Sequence, residues 1–150
     1  MMLASEYEKG SPGYHPYWYA HVIDIFHARV RHIGPRSKSS EVQQIEFLFV
    51  RWFRPDRSMV GGWAAERLHR VEFLNEANEL EDAFGFADPA HIVRGVHLIP
   101  AFAHGETSRL LGPSNYARRF QDDDEDWKYF YIRMWVHAKL RHWSLTKYSS

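Results

Sequence analysis

The chain has 150 residues, 45% of them hydrophobic and 25% charged, with 19 basic and 19 acidic side chains. A chain of this length buries one core, and its zero net charge excludes a strong sequence-independent pull on a phosphate backbone, which needs clustered positive excess. There is no Cys, so a thiol nucleophile, a Cys-type zinc centre and a disulfide framework are all excluded.

Aromatic residues make up 16% of the chain, and such side chains favour pleated, half-buried surfaces. Residues 1–16 carry Gly10, Pro12, Gly13 and Pro16 and read as a flexible lead-in that becomes ordered near Tyr17. They lack the basic start and apolar run of a secretory signal. No apolar stretch reaches the roughly 20 residues of a membrane span, so the expected compartment is nuclear or cytoplasmic.

From Trp18 the even positions Trp18, Ala20, Val22, Phe26, Ala28 and Val30 are apolar. That is strand periodicity with a defect at Asp24, the mark of a bend, a bulge or two short strands. A polar hairpin loop follows over residues 34–40. Residues 46–53 form the clearest internal strand, ended by Pro55. Residues 55–63 form a loop containing Gly61-Gly62, and residues 67–74 a further short strand. Residues 75–82 are acidic, and the pattern places one or two helical turns there. Asp88-Pro89 is an N-cap with proline at the first helical position. Residues 96–100 read as a strand stopped by Pro100. Residues 104–126 are irregular and end in the acidic run Asp122-Asp123-Asp124-Glu125-Asp126. The last strand spans residues 127–137, and the tail from Lys139 is basic and aromatic. These elements predict a mainly β chain, a small partly open β-barrel with short helical turns and long loops.

The sequence carries no Gly-x-Ser-x-Gly elbow and no Gly-rich phosphate loop, so no catalytic residue and no cofactor are assigned. Of the ten histidines, His21 and His27 would lie about 20 Å apart on a strand, too far to share an ion, and no metal site is assigned. The acidic run reads either as a solvated loop or as a contact for a basic partner. Trp52 reads either as a core tryptophan or as a partner anchor, and Trp18 divides the same way. Arg29, Arg31, His32, Arg36 and Lys38, with Arg51, Arg54 and Arg57 on the next strand, form a basic strip able to touch nucleic acid weakly.

The order of Trp18-Tyr19-Ala20-His21-Val22, then Val50-Arg51-Trp52-Phe53-Arg54-Pro55, then Gly95-Val96-His97-Leu98, then Tyr129-Phe130-Tyr131 resembles the bromo-adjacent homology (BAH) domain of chromatin proteins. The resemblance covers residues 17–137. More narrowly, residues 95–105 and 122–131 resemble a C-terminal segment of transposon-encoded (Plavaka-like) proteins of mushroom-forming fungi. The first resemblance implies a BAH-like barrel over residues 17–138 that binds protein, often histone tails, with no catalysis. Carried over by position it places aromatic contact residues at Trp18 and Trp52, and the aromatic excess adds Trp63, Tyr19 and Tyr131 to the expected contact surface. The acidic run would meet a basic tail. Phe53 is followed at once by Arg54-Pro55, one residue short of the family pattern. The alternatives are a nucleic-acid-binding accessory domain of a transposition protein, using Arg31, Arg51 and Arg54, and a purely structural domain.

Overall fold

A computed structural model describes residues 1–4, 15–35, 39–59, 61–62, 65–75, 83–118, 121 and 123–133. The described chain is mainly β. Its strands are β1 (Met2–Ala4), β2 (Tyr17–Val30), β3 (Gln43–Pro55), β4 (His69–Phe73), β5 (Phe84–Ala87), β6 (Ile92–Arg94), β7 (His97–Pro100), β8 (Glu106–Thr107), β9 (Asp126–Trp127) and β10 (Phe130–Arg133). Single 3-10 turns lie at Pro89–His91 and Phe102–His104. The expected helical turns at 75–82, the end of the last strand beyond Arg133 and the basic tail lie largely or wholly outside the described residues.

Eight strands form one antiparallel sheet in the order β6-β1-β2-β3-β4-β10-β7, with β5 also on β3; β8 and β9 form a separate small pair. The long β2–β3 ladder runs from Tyr19 opposite Phe53 to Val30 opposite Gln43. The far edge of β3 is shared. β5 pairs with residues 48–51 and β4 with residues 53–55. Two strands that diverge from one force the sheet to bend.

Strand alternation sorts the side chains into two cores. Leu48 and Val50 share one with Leu3, Ala20 and Ala87. Phe53 shares the other with Met2, Tyr19, Val71, Phe73 and Ile132. Phe53 stacks on Phe73 with centroids 4.1 Å apart, and Phe130 meets both edge-on at 5.6 Å. Neighbouring residues Met2 and Leu3 enter opposite cores. The lead-in therefore begins with a built strand, earlier than its polar composition predicts.

The defect near Asp24 is a bulge. Val22 pairs with Val50 and Asp24 with Phe49, leaving Ile23 as the extra residue. One extra residue moves every later side chain to the other face. Phe26 consequently stacks on Phe47, and Phe49, Phe84 and Phe86 continue the row with centroids 5.3 to 5.8 Å apart. Phe26 and Phe86 remain exposed.

The ends of the pairing order, β6 and β7, are consecutive in sequence and separated by Gly95 and Val96 alone. Three Cα steps of about 3.8 Å span at most about 11 Å. The sheet must curl until its two ends stand that close.

Asp88 caps the 3-10 turn as its sequence predicts: its Oδ1 accepts a 2.8 Å hydrogen bond from the Ala90 N–H, with Pro89 at the first position.

Candidate functional site

Trp18 and Trp52 do meet, edge to face, with centroids 5.8 Å apart. Both are half-buried and pack on the Leu48–Val50 core. Trp52 lies directly over Gly85 of β5, where a Cβ would stand 2.7 Å from Nε1. The chain itself thus fills much of the space around this pair. Tyr19 is 1% exposed. Burial, and then the neighbouring Tyr17, push its hydroxyl pKa up to about 12, so it is a core residue and not part of a contact surface. Tyr131 is half-buried in β10 between Arg70 and Ile99. Trp63 lies outside the described residues.

The three arginines expected to form a basic strip are not together. Arg31 is exposed beyond the Val30–Gln43 end of the ladder. Arg54 sits near the other end of β3, roughly eleven residues or about 36 Å along the strand, and its Nε donates to Glu72 Oε1 at 2.9 Å. Arg51 lies between them and is fully buried. It cannot reach a phosphate on the surface.

Arg51 instead organises a site that the sequence does not announce. Its guanidinium donates two hydrogen bonds of 2.9 Å to Asp126, one to each carboxylate oxygen. The same guanidinium lies 3.8 Å over the Phe73 ring centroid. Arg118 donates to Asp126 Oδ2 at 2.8 Å. All three residues are buried. Burial raises the Asp126 carboxyl pKa, but the hydrogen bonds and charges of Arg51 and Arg118 outweigh it and hold the group below its ordinary value. A buried carboxylate held by two cations is an anchor, since losing either arginine leaves its oxygens short of donors in a low-dielectric interior.

This anchor gathers two loops. Arg118 also donates to the carbonyls of Leu111 and Gly112, at 2.8 and 2.9 Å, closing the 111–118 loop on itself. Within that loop Ser114 Oγ accepts from the Tyr116 and Ala117 N–H groups. On the other side the chain turns through Asp123 and Asp124, with φ of 40° and 59°, a left-handed conformation that Asp tolerates better than most residues. Asp124 Oδ1 accepts from the Ser114 N–H at 3.3 Å and so ties the turn to the first loop. The turn delivers Asp126 and Trp127 to β9, where Trp127 pairs with Glu106 of β8. Phe102 buttresses Trp127 edge-on at 5.0 Å.

The result is an open cavity of about 450 Å³ beside β2, whose lining residues include the aromatic His21, Phe73, Tyr116, Trp127 and Phe130 and the acidic Glu106, Glu125 and Asp126. Tyr116 is 85% exposed. Glu106 and Glu125 are exposed and form no ion pair among the described residues. Arg118 also lines the cavity, but its charge is matched. Arg51 and Arg118 together face Asp126, with Asp124 a further 3.6 Å from Arg118. Among the described residues, the two glutamates are the charges of the lining without an ion-pair partner. Aromatic faces beside free carboxylates attract a cationic group through ring quadrupole and Coulomb terms together.

Of the acidic run, then, Asp126 is structural and Glu125 faces the cavity, while Asp122 lies outside the described residues. Glu106, Tyr116 and Trp127 were not legible as site residues, because the cavity brings together loops far apart in sequence. Arg51 did carry a signal: a charged residue in the middle of an otherwise apolar strand needs a buried partner. Compared with protein-family models, with curated proteins and with solved structures, the chain finds no match.

Proposed function

We propose that this chain is a non-enzymatic protein-interaction module, a partly open BAH-like β-barrel that binds a basic peptide segment through the Glu106–Glu125–Trp127 cavity. One observation carries the reading: the cavity pairs two acidic residues that lack ion-pair partners among the described residues with the exposed Tyr116 and the half-buried Trp127. The barrel part is supported by the curl that brings β6 and β7 within two intervening residues. The peptide class that the resemblance implies is a histone tail, in a protein associated with a transposable element. The contact surface moves from Trp18 and Trp52 to Tyr116 and Trp127, because the first pair packs on the apolar Leu48–Val50 core and the second lies in a cavity with two acidic residues.

Titration of the protein with basic histone-tail peptides, followed by tryptophan fluorescence, tests this. Saturable binding that weakens with salt and is lost in Trp127→Ala is expected. Failure of every basic peptide to bind would overturn the reading.

A further inference from the structure

Two arginines, Arg51 and Arg70, are held in the same way, while the buried Arg118 is held by Asp126 and the Leu111 and Gly112 carbonyls. Arg51 has the Phe73 ring beneath it at 3.8 Å and the Asp126 carboxylate at its edge. Arg70 has the Tyr129 ring beneath it at 4.5 Å, and its Nε donates to Asp56 Oδ2 at 2.6 Å. In both, an aromatic face stacks on the planar guanidinium and a carboxylate meets its rim of donors. Lys128, the one lysine among the described residues, stays exposed.

The cavity offers the same two components, the aromatic residues Tyr116 and Trp127 and the acidic residues Glu106 and Glu125, while Arg118, which also lines it, is already engaged by Asp126. It borders the first of these arrangements, since Phe73 and Asp126 line it too. A guanidinium fits such a lining better than an ammonium for three reasons. It is planar and stacks, it meets a carboxylate with two parallel donors, and it is more weakly hydrated and so loses less on leaving water. A methylated ammonium gains from the rings but has too few N–H donors to satisfy two carboxylates. We infer that the cavity is selective for an arginine side chain of the partner peptide over lysine and methylated lysine. This rests on the proposed peptide-binding reading and specifies its ligand.

The test uses four peptides of one neutral sequence, differing at a single position: arginine, citrulline, lysine or trimethyl-lysine. Each is titrated against the full chain, the double variant E106Q/E125Q and the control Glu41→Gln, whose position is exposed on the hairpin side of β3. The expected result is arginine binding about tenfold tighter than lysine, with citrulline weakest. The double variant should lose that preference while its melting temperature stays at the wild-type value, and Glu41→Gln should retain it. Lysine or trimethyl-lysine binding as tightly as arginine would overturn the selectivity and leave the peptide-binding reading standing. Absence of binding by all the cationic peptides would overturn both.

Discussion

Two tryptophan sites in this fold, both half-buried, differ in what surrounds them. Around Trp18 and Trp52 the chain packs its own Leu3, Ala20, Val50 and Ala87, and a glycine of β5 is needed simply to let Trp52 lie down. Trp127 has Phe102 against it at 5.0 Å, but it shares its cavity with an exposed tyrosine and two acidic residues without ion-pair partners among the described residues. Aromatic content therefore marks burial in one place and a docking chemistry in the other. What separates the two is which polar groups surround the ring.

The sharpest way to break this contrast is to remove what holds the second site together. Arg51→Ala removes two of the hydrogen bonds to the buried Asp126 carboxylate, leaving it Arg118, and should cost about 3 kcal/mol of stability, read as a shifted denaturant midpoint. Arg51→Lys should recover only part, because an ammonium cannot make both bonds to one carboxylate. The same anchor sets an acid limit. The folded-state pKa of Asp126 lies below its unfolded value of 3.8, so its contribution is present above that value and lost as pH falls through the folded one. Unfolding curves collected through the acid range should show this loss in the native chain and a flatter profile in Asp126→Asn.

The first site is probed by Gly85→Ala. Its new Cβ would meet Trp52 Nε1 at 2.7 Å, and a loss of about 1–3 kcal/mol is expected from overpacking. Peptide affinity should not change. Unchanged stability with lost binding would reverse the roles assigned to the two tryptophan sites. The smallest effect belongs to Glu72→Gln. Its pair with Arg54 is partly exposed, so a change of about 0.5 kcal/mol or less is expected, with peptide affinity intact.

Much of the sheet was legible because its signals are local. The β2–β3 alternation, the defect near Asp24, the stop at Pro55 and the Asp88-Pro89 cap each depend on a few adjacent residues. β1 and β5 were not legible. Three residues in a polar lead-in, or Phe-Gly-Phe-Ala after an acidic stretch, show too little alternation to read. Their strand character comes from their partners, β2 and β6 for one and β3 for the other. The site is illegible for the same reason on a larger scale. Arg51 meets Asp126 across 75 residues of chain, and no local periodicity encodes that meeting.

The placement of β1 also has a kinetic consequence. It lies between β2 and β6, and Met2 pairs with Arg94, roughly ninety residues later. The loop-closure entropy of that pairing must be met before its contacts stabilise anything, and topologies rich in such distant pairings fold slowly. Until Ile92–Arg94 is in place, β1 can lean only on β2. Interrupted-exchange labelling during refolding should find the amides of the β2–β3 ladder protected first and those of β1 among the last.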